Sequence, residues 1–183
     1  MKEKLSNGFV GVYSELVTEV SAAAERLGEE VKKLGTAFLK LGLKGKRIAV
    51  IGKNRYEWAL SYYAAVCGVG TVVPLDKGLP ASEIESSILR AKVYVSVFEE
   101  SQLDIIKDIV NKKISNLKTL ICMDELKDKV VKNLKDLLKS PKRSSSPFLN
   151  APSHLSSIIT NFIVVDPTSI PIYKSFAIIF ASF

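Results

Sequence analysis

Apolar residues return at spacings of three, four and seven between Ser14 and Lys40: Leu16, Val20, Leu27, Val31, Leu34 and Phe38. That is the period of one helix face. Gly28 and Gly35 fall inside the stretch, and each weakens a helix interior by about 1 kcal/mol relative to alanine. The pattern therefore predicts a bent helix or two helices, with Gly42 after Leu41 as the stop. The period then changes. Arg47-Ile48-Ala49-Val50-Ile51 is a short apolar run with no polar face, as expected of a strand covered on both sides. Gly52-Lys53-Asn54 turns the chain, and Asn54 is placed to cap a helix carrying Trp58, Ala59, Tyr62 and Val66. Gly68 and Gly70 end that helix, and Thr71 to Leu75 forms the second strand, with Pro74 near its end where the ladder has finished.

The alternation continues. Pro80 and Ser82-Glu83 start a helix with Ile84, Ile88 and Leu89 on its face. Val93 to Phe98 is a β-branched and aromatic third strand. Ser101 can cap a helix bearing Leu103, Ile106 and Val110. Leu117 to Met123 is a fourth strand, and Asp128 to Lys139 a fifth helix with Val130, Val131, Leu134, Leu137 and Leu138 on one side. Strands alternating with helices at similar intervals imply crossovers and a parallel sheet. The fold class expected is α/β, an open three-layer parallel sheet with helices on both faces. Ligands of such sheets sit beyond the carboxyl ends of the strands. Those ends are Gly52-Lys53-Asn54, Asp76-Lys77-Gly78, Glu99-Glu100-Ser101 and Asp124-Glu125.

Past Lys139 the composition shifts. Pro141 to Pro147 is a basic, serine-rich linker, and five of the eight phenylalanines lie beyond it. The expected division is an α/β subdomain over residues 1–140 and a linker with an irregular apolar tail over 141–183. Ile158 to Val165 and Ser175 to Phe183 have strand composition, and without partners they are aggregation-prone. The tail reads as the start of something cut off or replaced.

The 183 residues suffice for one domain with a real core, and 47% hydrophobic with 25% charged residues is a globular composition. The net charge of +7 raises an acidic partner. However, lysines alternate with acids along EEVKK and DELKDKVVKNLKDLLK, which makes a solvated face, and no aromatics interleave a basic run as in single-strand binders. No nucleic acid is expected. Cys67 and Cys122 lie far apart, and His154 is the single histidine, so no cysteine–histidine zinc set can form. Buried thiols in a reducing compartment are the plain reading. The sequence has no signal-like segment and no uncharged apolar run of spanning length. A cytoplasmic location is expected, with peripheral membrane association left open and the oligomeric state undetermined.

Candidate chemistry is sparse. Gly52-Lys53 lacks the glycine-rich lead and the following Ser/Thr of a phosphate loop, and Gly68-x-Gly70 precedes a strand instead of following one. Both are turn glycines. Asp76 and the Glu99-Glu100 pair sit at strand ends but read as caps and turn formers, since no second catalytic group accompanies them. His154 with Ser153 has no oxyanion loop. Trp58, Tyr62 and Tyr63 at helical spacing read as core.

The stretch LGTAFLKLGLKGKRIAVIGKNRYEWALSYYAAVCGVGTVVPLDKGLPASEIESSILRAKVYVSVFEE resembles the N-terminal subdomain of AMP-forming acyl-CoA synthetases. Within the adenylate-forming enzymes it is most similar to bacterial long-chain fatty acid–CoA ligases. The resemblance rests on Leu39-Lys40-Leu41-Gly42-Leu43, the strand Arg47 to Ile51, Asn54-Arg55-Tyr56-Glu57-Trp58, the glycine-ended helix, and Val73-Pro74-Leu75-Asp76 with a later proline. Order and spacing together make it specific over Leu34 to Glu125; upstream the match is loose. It implies a carboxylate attacking the α-phosphate of ATP, then acyl transfer to the CoA thiol, with Mg2+ neutralising the phosphates. Fatty acid, ATP and CoA are thus the partners implied for the full-length family.

The family's Thr-Ser-Gly-Thr-Thr-Gly-x-Pro-Lys-Gly phosphate loop is not in this sequence, nor is its Tyr-Gly-x-Thr-Glu stretch or its small C-terminal domain. No catalytic, cofactor-binding or metal residue of the family can therefore be carried to a position here, and no cofactor is expected to be held by this chain alone. The expectation is an N-terminal fragment of a ligase, inactive by itself. The alternative is a stand-alone α/β binding or interaction module.

Overall fold

The structure is a computed structural model and describes residues 2–113 and 115–139. The linker and tail, with His154 and the two apolar segments read as strands, lie outside the described residues. The first helix, α1, runs unbroken over Lys2–Lys40. Gly28 and Gly35 do not split it, and Leu27, Val31, Leu34 and Phe38 around them are buried in the core. Burial of one such side chain contributes about 1.5–3 kcal/mol, more than a glycine costs a helix. At its end Gly42 takes φ +74°. The Gly42 amide donates to Leu39 O and the Leu43 amide to Phe38 O, at 3.0 and 3.1 Å. This is the paired closure that a left-handed residue after a helix allows, and it drops Leu43 into the core beside Phe38.

The chain then alternates: β1 Arg47–Ile51, α2 Tyr56–Val66, β2 Thr71–Leu75, α3 Ala81–Arg90, β3 Val95–Phe98, a 3-10 turn Glu100–Gln102, α4 Leu103–Asn111, β4 Thr119–Cys122, β5 Val131–Asn133 and α5 Leu134–Lys139. All five strands are parallel, in the order β2-β1-β3-β4-β5. The expected α/β class with helices on both faces is the one found. Alternation along β1 divides the core. Ile48 and Val50 face a cluster built by α1, α2 and α5, whereas Ala49 and Ile51 face one built by α3 and α4.

Three local expectations are corrected. Val130 and Val131 do not belong to a fifth helix. Val131 pairs with Leu120 in β5, and α5 begins only at Leu134. Asn54 is not the cap of α2, nor Ser101 that of α4: the capping positions are Arg55, in extended conformation, and Gln102, and neither makes a side-chain cap bond. Pro74 does not lie past the ladder but pairs in register with Val50. It is tolerated because β2 is an edge strand, where a missing N–H can face outward.

Gly70 is fixed by a close approach. A Cβ there would lie 2.1 Å from Lys46 O, the carbonyl that accepts the Thr71 amide. Gly70→Ala should therefore lower stability by about 1–3 kcal/mol. Gly28→Ala, with nothing within 4 Å of the new methyl, should raise it by up to about 1 kcal/mol. Urea unfolding midpoints of the two variants should move in opposite directions; movement in the same direction would contradict this packing.

Candidate functional site

Going from β1, the chain reaches β2 on one side through α2 and then β3 on the other side through α3. The connections part between β1 and β3, and in open α/β sheets the carboxyl end of that gap is where ligands are received. Three of the four strand ends expected to carry chemistry meet near it. The fourth approaches only through Lys77, whose carbonyl accepts from Gln102 Nε2 at 3.5 Å and whose charge helps to lower Glu99; Asp76 is exposed, and its carboxylate accepts the Gly78 amide at 2.8 Å within its own turn.

Glu99, 7% exposed, stands at the end of β3. Its Oε2 accepts the backbone amide of Lys53 at 2.9 Å, and its Oε1 lies 3.4 Å from Lys53 Nζ. Burial pushes this carboxyl up, but the Lys53 amide and ammonium outweigh burial and hold it below the ordinary value. Arg55 is the second tie. Its Nε meets Glu57 Oε2 at 2.6 Å and its Nη1 meets Asp124 Oδ1 at 2.7 Å, joining the start of α2 to the end of β4. Asp124 Oδ2 accepts the Glu100 amide at 2.8 Å. Burial raises the Asp124 carboxyl, and the Glu100 amide and Arg55 together draw it below the usual range. The Arg55 guanidinium is held charged, first by its bond to Glu57.

Glu99, Glu57 and Asp124 thus all accept structural hydrogen bonds, and Glu99 and Asp124, held below their ordinary values, are ionised at neutral pH. A general base needs the reverse, a carboxyl poised near the working pH and facing a substrate. Among the described residues no group of three or more His, Cys, Asp or Glu is placed to hold a metal ion. Nor does a glycine-rich turn present converging amides to a phosphate. Buried Gln102 Oε1 and Ser96 Oγ have no hydrogen-bond partner.

A cleft of about 430 Å³ opens beside the network, between α1, the start of α2, the end of β4 and α5; Tyr56, whose hydroxyl donates to Glu30 at 3.0 Å, is part of its lining. Sequence reasoning named Arg55 and Glu57 only as part of the family resemblance, with no role at this edge, and did not name Gln102. Arg55 and Glu57 are two residues apart, but nothing local couples them to Asp124, 69 residues downstream of Arg55. The remaining candidates take structural positions. Trp58 and Tyr62 stack with centroids 5.5 Å apart, and Trp58 and Tyr63 pack against the core. Cys122 is buried and Cys67 half-buried; burial pushes both thiols up, away from reactivity. Within the run from Asp124 to Lys139, Lys135 pairs with Glu125 and Lys139 with Asp136, all with exposed side chains. Among the described residues no helix is long and apolar enough to cross a membrane.

Carboxyls held below their unfolded values contribute stability above the ordinary values of 3.8 and 4.5, and that contribution is lost as pH falls past them. Unfolding free energy should therefore be insensitive to these two groups from pH 7 to about pH 5 and should drop below pH 4.5. Asp124→Asn should cost about 1–2 kcal/mol at pH 7 and flatten part of the acid slope. An unchanged slope in urea titrations across pH would contradict the assignment.

The AMP-binding enzyme family matches residues 19–160. No curated protein matches the sequence. Solved structures with this fold include an anthranilate CoA ligase in complex with anthranoyl-AMP, at 16% identity and TM-score 0.57, covering 67% of this chain and 24% of that one. A coronafacic acid ligase from Pectobacterium brasiliense has 20% identity and TM-score 0.58, over 66% of this chain and 25% of its own. A long-chain-fatty-acid-CoA ligase from Archaeoglobus fulgidus has 19% identity and TM-score 0.55, over 63% and 22%. The chain thus spans about a quarter of the length of these structures. With the family matched over most of its residues and the sheet arranged as described, this chain belongs to the AMP-binding enzyme family.

Proposed function

We propose that the chain is the N-terminal part of an AMP-forming long-chain fatty acid–CoA ligase and that, by itself, it does not activate a carboxylate. Membership in the AMP-binding family carries the first half of this reading. The long-chain acyl substrate rests on the resemblance from Leu34 to Glu125, since structural relatives of near-equal similarity act on quite different carboxylates by their names. In the whole enzyme a carboxylate would attack the α-phosphate of ATP with Mg2+ present, and the acyl group would then pass to the thiol of CoA.

The second half is supported by what the carboxyl edge offers. Stabilising charge that develops on a transferring phosphate takes preorganised donors aimed at it. Here Arg55 is bound to Glu57 and Asp124, and Lys53, largely exposed, lies 3.4 Å from Glu99. Residues 1–139 would act as scaffold, with the phosphate-gripping parts supplied by other segments of the enzyme.

Exchange of labelled pyrophosphate into ATP with palmitate tests both halves. The 183-residue chain should give no exchange above the protein-free blank; turnover near the usual enzymatic range, about 1 per second or faster, would overturn the reading. Fusing residues 1–139 to the remainder of a long-chain ligase should restore exchange. A folded but inactive fusion would count against the family role assigned to this unit.

A further inference from the structure

All five strands run the same way, so their amino ends gather at the edge of the sheet opposite Glu99 and Asp124. No Asp or Glu lies in residues 31–51, 58–75, 86–98 or 109–123, the stretches that lead to this edge and form it. Lys44, Lys46, Arg47, Lys92 and Lys118 stand in its loops or at the strand starts, and Lys129 precedes β5. All six are exposed, and none forms an ion pair with a described residue. Acids on the bordering elements are engaged elsewhere: Asp128 meets Lys107, while Glu85 of α3 and Asp108 of α4 both meet Lys112. Glu83 and Asp104 stand in the first turns of α3 and α4, toward the carboxyl edge.

The backbone sets these cations side by side. Arg47 O accepts the Tyr94 amide and Tyr94 O the Lys118 amide, both at 2.9 Å, and the pairing of Leu120 with Val131 brings Lys129 alongside. Lys92 and Lys113, the two non-glycine residues of positive φ among the described residues, lie in the same loops, where glycine or asparagine takes that conformation at less cost. A row of unpaired cations suits a surface that carries many negative charges over a broad area. Val130 decides between such surfaces. It is 71% exposed beside Lys129, the most exposed large hydrophobic among the described residues. An apolar side chain next to cations gains at the headgroup–acyl boundary of a bilayer, and it gains nothing among nucleic-acid phosphates. Single-stranded nucleic acid would also use free ring faces. Tyr94, the one aromatic of these loops, is half-buried with Lys46 Nζ 4.9 Å from its ring centroid.

We propose that the amino edge rests on an anionic lipid surface, with its cations among the headgroups and Val130 at the acyl boundary. The strands then stand away from the lipid, and the gap between β1 and β3 opens on the far side. This placement does not depend on which carboxylate the whole enzyme activates.

Sedimentation of the 183-residue chain with vesicles tests it, using phosphatidylcholine alone and phosphatidylcholine with about 30% phosphatidylserine, enough to give a negative surface. Binding is expected only to the charged vesicles, and it should fall steeply in about 0.5 M NaCl, which screens surface charge within a few ångströms. Lys44→Gln with Lys118→Gln should weaken it about tenfold or more, since each cation near such a surface gives a severalfold gain. Val130→Ser should weaken it severalfold. Lys135→Gln with Lys139→Gln removes the same charge from α5 and should leave binding within about twofold, with circular dichroism establishing that each variant is folded. Binding to both vesicles alike, or to neither, would overturn the proposal. So would an equal loss in the two double variants, which would make net charge responsible and not this edge. Tighter binding of a uridine oligonucleotide than of the charged vesicles, lost in Lys44→Gln with Lys118→Gln, would assign the edge to nucleic acid instead.

Discussion

The carboxylate of Glu99 has nowhere to go but the end of β1. It is buried between the two strands that flank the gap in the sheet, and a buried charge is tolerated only when paired and hydrogen-bonded. The Lys53 amide and ammonium meet that demand, and the loop after β1 is held over the gap as a result. Arg55 repeats the device one strand further, reaching from the start of α2 to Asp124, which in turn holds the Glu100 amide. The carboxyl edge is therefore a set of ties between loops. In a fold whose ligands gather at that edge, Glu99 and Asp124 are engaged in tying neighbouring loops together.

The two halves of the core explain why the ties are needed. β1 and β3 expose apolar side chains to both faces, so α1 and α2 are drawn to one side and α3 and α4 to the other. Connections that diverge in this way leave the loops after β1, β3 and β4 facing one another with polar backbone to satisfy. Glu99 and Asp124 each accept an amide from a neighbouring loop, which closes that requirement within the chain.

Much of the scaffold was legible in the sequence because it depends on local period. Arg47 to Ile51 has no polar face, as a doubly covered strand should, and Ile84 and Ile88 mark the buried side of α3. What was not legible depends on neighbours in space. Val131 has helical spacing to Leu134 and Leu138, yet Leu120 of β4 offered it a ladder, and a three-residue strand resulted. Pro74 reads as a strand terminator, and only the strand order makes it an edge residue. Asn54 is a good capping residue by type, but Arg55, anchored at both ends of its guanidinium, sets where α2 begins. The edge residues followed the same division. Glu99 and Asp124 could be named from strand ends, whereas their partners Lys53 and Arg55 had no local signal of their roles.

The claim beneath this account is that side-chain charge at the carboxyl edge is spent on joining loops. A double-mutant cycle in urea at low salt, with Arg55→Met, Asp124→Asn and the pair together, measures it at the longest-range tie. The account predicts a coupling of about 1–2 kcal/mol, within the range for residues sharing one hydrogen-bonded ion network. Coupling within about 0.3 kcal/mol of zero would mean that the two side chains are merely near each other, and the edge would have to be regarded as open to a ligand.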